Sequence, residues 1–261
     1  MKAIWTGSIG FGLVNIPIKL YSATQSSSLD FDMLDKKDLA NIRFKRVNEK
    51  SNKEVLWENI VKGYLLNDKY VVLDDTDFKK AAPEKTSHVE IIQFVKQSEI
   101  TSIYFENPYY VKPEKTGSRA YVLLKEALAK SGRVGLGTFV MREREHVCMI
   151  MPLDDVLVLN RLRFPEEIRQ YDELDLPTTK SKPEEVKMAL TLIDQLTKPF
   201  NPKLFKDDYT ERLLKVIKAK AKGKAVPFKP LKVVHSKSKD LMEQLQASLS
   251  ATTTSSKRKA S

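Results

Sequence analysis

At 261 residues the chain can bury one sizeable core and carry appendages. Hydrophobic residues make up 41% and charged residues 30%, a globular balance, and no run of about 18 apolar residues offers a membrane span. The formal net charge of +11 is uneven: residues 1–210 hold 32 Lys or Arg against 31 Asp or Glu, whereas residues 211–261 hold 13 against 3. Such a basic tail suits nucleic acid, acidic proteins or anionic lipid, or a solvated linker. The lone cysteine, Cys148, excludes an internal disulfide framework and fits a reducing cytoplasm. Apolar residues alternate at the N-terminus instead of clustering, so no secretory leader is expected.

In chain order, Ile9, Phe11 and Leu13, then Ile16, Ile18 and Leu20, fall at every second position. That is the period of a half-buried strand, with a turn expected near Asn15 to Pro17. Gly7, Gly10 and Gly12 allow close backbone approach but lack the spacing of a phosphate loop. Alternation predicts further strands over 42–47, 89–95, 109–111, 139–151 and 156–164, the last two joined by a turn at Pro152-Leu153-Asp154-Asp155. Many short strands favour a barrel or sandwich. One helix interrupts them, from a cap at Ser118, with Tyr121, Leu124 and Leu128 on one face, to Gly132. A second is expected from a Ser181/Glu184 capping box, with Met188, Leu192 and Leu196 on one face, before Pro199 and Pro202. A third starts at Asp207-Asp208, carries Tyr209, Leu213, Val216 and Ile217 on its apolar face, and closes at Gly223. Beyond lies a Lys-, Pro- and Ser-rich linker. Within it, Leu241, Leu245 and Leu249 mark a short amphipathic segment that needs a surface to dock on. Lys257-Arg258-Lys259 ends a low-complexity tail.

Signs of metal or catalytic chemistry are sparse. His88, His146, His235 and Cys148 lack the paired spacings of a zinc site. The Asp and Glu pairs sit in turns or at helix starts, no serine lies in a nucleophile elbow, and Gly132 to Gly137 follows a helix and precedes a strand, the reverse of a dinucleotide loop. Basic residues carry the positive signal. Arg43, Lys45 and Arg46 fall on one strand-like stretch. A turn centred on Leu153-Asp154 sets Arg144 opposite Arg163 and His146 opposite Arg161, so Arg142, Arg144, Arg161 and Arg163 share one hairpin face. Like charges so placed need a counterion. It is either an external anion such as phosphate or an acidic side chain elsewhere in the fold.

The opening run, IW-x-G-x-I-x-FGLVNIP-x-KLYSAT over Ile4 to Thr24, resembles the bacterial Ku proteins, the DNA-end-binding factors of non-homologous end joining. The likeness continues through Arg43 to Val47, Val61 to Tyr64, Tyr70 to Leu73, Ile103 to Tyr110, Ala120 to Leu124, Arg142 to His146, and the F-N-P-x-x-x-x-D-x-Y run from Phe200 to Tyr209. It spans residues 1 to about 222. The C-x-x-C pair that many relatives carry is absent; Asn48 and Ser51 stand at those positions, so no metal is carried over.

The resemblance implies a mainly β fold with α: a Ku-type β-barrel with an inserted helix and a bridging segment, then a helical C-terminal arm. The expected divisions are a core over 1–205, an arm over 206–222 and a basic tail over 223–261. It further implies a ring-shaped homodimer, cytoplasmic and without membrane contact. That ring threads linear double-stranded DNA ends without sequence preference, protects and bridges them, and recruits the ATP-dependent ligase LigD. No enzyme activity, metal or cofactor is expected. The candidate DNA contacts are Lys19, Arg43, Lys45, Arg46, Arg142, Arg144, Arg161 and Arg163. Tail contacts are Lys218, Lys220, Lys222, Lys224, Lys257, Arg258 and Lys259, and Leu241, Leu245 and Leu249 form a partner-docking stripe. Two rivals stay open: an abasic-site lyase using Lys2 or Lys19 as a Schiff-base amine, and a tail-driven DNA-coating protein.

Overall fold

The computed structural model describes residues 1–82 and 87–224, together with Met242, Gln244, Leu245 and Ser248. In chain order the elements are β1 (Trp5–Phe11), β2 (Val14–Ser22), β3 (Lys62–Leu66), β4 (Lys69–Leu73), α1 (Asp75–Ala81), β5 (His88–Lys96) and β6 (Phe105–Pro113). There follow α2 (Ser118–Ser131), β7 (Arg133–Met141), β8 (Arg144–Leu153), β9 (Val156–Leu162), α3 (Pro183–Leu196) and α4 (Asp208–Ala221). The chain divides into two compact units, residues 1–171 and 172–261. No helix among the described residues is long and apolar enough to cross a membrane.

Seven strands close a barrel in the order β1-β2-β6-β9-β8-β7-β5. Six of the pairings are antiparallel, and β1 and β5 close the circle in parallel through Ser8–His88, Ile9–Val89 and Gly10–Glu90. Inward residues of these strands, among them Ile9, Ile16, Ile18, Leu20, Val89, Val111, Phe139, Cys148, Ile150, Leu157 and Leu159, form one core. Tyr121, Leu124 and Leu128 of α2 belong to the same core, as their i, i+3, i+7 spacing predicts. The Tyr121 hydroxyl donates to the Val111 carbonyl at 2.9 Å and accepts from the Leu157 amide at 2.7 Å. Thus α2 stoppers the barrel end where β6 finishes and β9 begins. Gly137 lets β7 approach β5: a Cβ there would lie 2.0 Å from the Glu90 carbonyl oxygen.

Several local expectations change. The first turn is at Gly12-Leu13, with Gly12 at φ +57, not near Asn15 to Pro17, and it leaves Leu13 exposed. Residues 139–151 are not one strand: β7 ends at Met141, and a two-residue turn of Arg142 (φ +52) and Glu143 (φ +69) reverses the chain into β8. Residues 42–47 form no strand: Val47 makes an isolated bridge to Glu54, and Leu34 bridges Asn41 just before them. Ser118 does not cap α2, whose N-cap is Gly117; its hydroxyl instead donates to the Glu114 and Lys115 carbonyls. Gly132 ends α2 at φ +63. Helix α3 is capped one residue later than expected, Glu185 accepting from the Lys182 amide. In the second unit Met188 and Leu192 are half-buried while Leu196 and Tyr209 are exposed, so these helices share no closed core.

Between β2 and β5 the chain leaves the barrel as an arm, a different segment from the helical one expected over 206–222. Residues 23–82 hold the β3–β4 hairpin, turned at Asn67-Asp68 with both φ positive, and α1, which opens on an Asp74/Asp77 capping box. None of these sixty residues is buried.

Candidate nucleic-acid interface

The open end of the barrel, opposite α2, is a cavity of about 680 Å³. Its rim comes from the ends of six strands: Ile4 before β1, Ser22 of β2, Glu106 of β6, Met141 of β7, Arg144 and His146 of β8, and Arg161 of β9. The turn at Arg142-Glu143 stands on this rim. Arg142, Arg144 and Arg161 therefore do converge, with His146 among them.

The register differs from the expected one by two residues. The β8–β9 turn is Asp154-Asp155, so Arg161 faces Cys148 and His146 lies one inward position towards the rim. A shift of two preserves the side of the sheet. That side is the inside of the barrel: Arg144, His146, Cys148 and Ile150 alternate inward on β8, and Arg161 follows Leu157 and Leu159 on β9.

An inward charge at a barrel mouth needs a partner, and Arg161 has one. Its Nε donates to Glu106 Oε2 at 2.6 Å and its Nη2 to Glu106 Oε1, a two-pronged pair with side chains only 20% and 29% exposed. The Arg161 hydrogen bond holds the Glu106 carboxyl below the usual carboxylate range against the effect of burial, and the charges of Arg161 and Arg163 assist. Burial, then the Arg161 charge, push His146 down, so it is neutral near pH 7. Arg163 is tied to backbone: its Nη1 donates to the Ile103 carbonyl at 3.1 Å and the Phe105 carbonyl at 2.6 Å. Both arginines brace β9 to the start of β6, whereas Arg142 and Arg144 are exposed on the rim.

The remaining candidates are dispersed. Lys19 lies outside the barrel on β2, 3.3 Å from Glu114, in a groove of about 450 Å³ that also holds Lys112 and Lys115. In the arm, Lys45 donates to Glu54 at 2.6 Å, the Arg46 guanidinium sits 4.5 Å over the Trp57 ring, and Arg43 is exposed. Lys218, Lys220, Lys222 and Lys224 are exposed at the C-terminal end of α4, with Asp208 and Glu211 in its first turn, the charge order that a helix dipole favours. Leu245 is helical and half-buried. Leu241, Leu249, Lys257, Arg258 and Lys259 lie outside the described residues.

Lys112 and Lys115 were not singled out by sequence reasoning. Their signal was the alternation of Tyr109-Tyr110-Val111-Lys112, which puts Lys112 on the outer face, but its pairing with Lys19 joins positions far apart in the chain. Among the described residues no three His, Cys, Asp or Glu side chains converge on a metal-sized site. Burial pushes the Cys148 thiol up to about 12, so it is no thiolate ligand beside His146.

Comparison with known proteins agrees with the barrel. The family described as the Ku70/Ku80 beta-barrel domain matches residues 10–189. A non-homologous end joining protein Ku of Opitutus terrae is 39% identical over 99% of this chain and 95% of its own. Those of Archaeoglobus fulgidus, 38% identical over 96% and 99% of the two chains, and Coxiella burnetii, 37% identical over 86% and 85%, are similar along most of their lengths. A barrel of this topology, matched by the family over most of its strands and by relatives from end to end, places the chain in the Ku family of non-homologous end joining proteins.

Proposed function

We propose that the protein acts in DNA double-strand break repair as a non-catalytic homodimeric ring. It loads onto linear duplex ends without reading sequence, protects and bridges them, and recruits LigD. The observation that carries this reading is the arm. Residues 23–82 contain no buried residue, yet Phe44 is 78%, Trp57 71% and Tyr70 75% exposed. So much apolar surface in one segment calls for a cover, and the same segment of a second copy, meeting it about a two-fold axis, supplies one of matching character. Two barrels joined by two arms then enclose a passage.

A sequence-blind binder needs phosphate contacts only. The cations suit that role, because they stand on strands, turns and loop backbone and not on an exposed helix. Arg142 and Arg144 on the mouth rim, Lys19 on the barrel wall, and Arg43, Lys45 and Arg46 on the arm are the proposed DNA contacts. Arg161 and Arg163 hold the rim that presents them. The basic C-terminal residues add contacts to flanking DNA and, with Leu241, Leu245 and Leu249, tether the ligase.

Binding to a linear duplex and to a covalently closed circle of the same sequence tests the reading. Tight binding to the linear form and weak binding to the circle are expected. Equal affinity for both would overturn threading.

A further inference from the structure

The outer wall of β2 and β6 carries a feature that end threading does not require. Ile16, Ile18 and Leu20 point into the core, so Lys19 and Tyr21 face out; Tyr109 and Val111 point in, so Tyr110 and Lys112 face out. The register sets Lys19 directly opposite Lys112 and, two residues further along, Tyr21 opposite Tyr110. Lys115 joins the two lysines in the groove, whose other polar members are Glu114 and Thr116. Glu114 neutralises Lys19. Lys112 and Lys115 have no acidic partner among the described residues.

Glu114 relieves Lys19, but Lys112 opposite it and Lys115 in the same groove keep a positive charge that an anion would balance. Tyr21 lines the groove and Tyr110 stands opposite it on the same outer face, both half-buried, so their rings offer flat surfaces at the edge of that charge. Ammonium groups along a shallow groove with aromatic rings interleaved are the chemistry that binds unpaired nucleic acid: phosphates meet the cations and bases lie on the rings. A duplex keeps its base faces inside its own stack and has no use for the rings, and an acidic peptide has no bases to place on them. We propose that this groove takes the single-stranded overhang of a broken DNA end. The proposal rests on the end-binding reading above and adds a preference among ends.

The test uses the full chain with a blunt duplex and the same duplex carrying a 3′ or 5′ oligothymidine overhang. Wild type is expected to hold one overhang form at least about fivefold tighter than the blunt form, the effect of one base stacked on an aromatic ring. The double change Lys112→Ala with Lys115→Ala, both exposed and away from the core, should remove that excess. It should leave blunt-end affinity within about twofold and lower the salt slope for the overhang substrate by roughly 0.7 per lost contact. Tyr110→Ala should remove the excess and Tyr110→Phe retain it, since the ring and not the hydroxyl is used. Equal wild-type affinity for blunt and overhang ends, or variants that weaken both equally, would overturn the groove assignment. Failure of the end-binding reading is seen separately, as equal binding of blunt linear and circular duplex.

Discussion

The Arg161–Glu106 pair divides a bracing role from a DNA-contact role, and the two roles make opposite predictions. Glu106→Gln leaves Arg161 facing the mouth with one charge-assisted partner lost; Arg161→Ala leaves Glu106 likewise. The pair is neither a freely exposed bridge, worth under about 1 kcal/mol, nor a dry one, whose breakage costs about 3–5 kcal/mol. With side chains 20% and 29% exposed and two donors engaged, a loss of about 2 kcal/mol is expected for either change. In a unit of 171 residues that lowers the melting temperature by about 4–8 °C. Urea denaturation of both single variants and the double variant yields the coupling energy, expected at about 1–2 kcal/mol. Because Arg161 holds Glu106 below the usual carboxylate range, the folded protein binds fewer protons there than the unfolded chain. The pair's stabilisation is complete above about pH 4.3 and is lost as pH falls through the lower folded value. Arg161→Ala should flatten that acid limb. End affinity and its salt slope should stay at the wild-type value. A coupling below about 0.5 kcal/mol, together with a salt slope reduced by about 0.9, would show that Arg161 spends its charge on phosphate and would refute the bracing argument.

Other expectations are more direct. Leu66→Glu with Val72→Glu, in the exposed arm hairpin, should leave the barrel's melting temperature within about 1 °C and convert the proposed dimer to a monomer in sedimentation, with loss of end binding. Removal of residues 223–261 should weaken end binding without abolishing it and lower the salt slope by roughly 0.9 per lost contact; complete loss would favour a tail-driven coating protein. Cys148, buried and with its thiol pushed up to about 12, should resist alkylation until the barrel unfolds, so its labelling rate in urea should track global unfolding. His146→Asn should remove an acid-side loss of stability that begins below about pH 6.5, since a neutral, partly buried imidazole must gain a proton on unfolding.

What the sequence made legible depended on whether a pattern had a local cause. Helix α2 was readable because its three buried residues and its closing glycine lie within one stretch. The barrel was readable as a class because period-two alternation recurs from Ile9 to Leu162. The β7–β8 turn was not, although the inward side changes from odd positions (Phe139, Met141) to even ones (His146, Cys148) across it: the residues just after Met141 are charged, so no apolar residue marks the change. Arg142 and Glu143 also take the left-handed backbone that Asn and Gly usually mark. At Asn67-Asp68 that mark was present between two short apolar runs and was passed over. Residues 42–47 show the opposite case. They alternate as a strand does, but no barrel neighbour pairs with them, and alternation without a partner strand makes no strand: only Val47 forms a bridge.

The candidate site was harder because charge on a strand has two sides to go to, and a barrel makes the sides unequal. Parity correctly grouped Arg144 with Arg161, since an error of two residues in register leaves a side chain on its own face. What parity cannot supply is which face is outside. Only the closure of β5 on β1, joining segments some eighty residues apart, decides that. Once it is decided, desolvation sorts the cations. Inward ones survive only at the unstoppered mouth, where Arg161 keeps partial contact with water and takes a carboxylate, whereas outward ones such as Lys112 can stay unpaired. An unpaired cation on a rigid wall is free to meet a phosphate, and a paired one must first give up its acid. On this argument Lys112 and Lys115, which the alternation alone did not mark, are proposed as nucleic-acid contacts ahead of Arg161, one of the eight candidates read from the sequence.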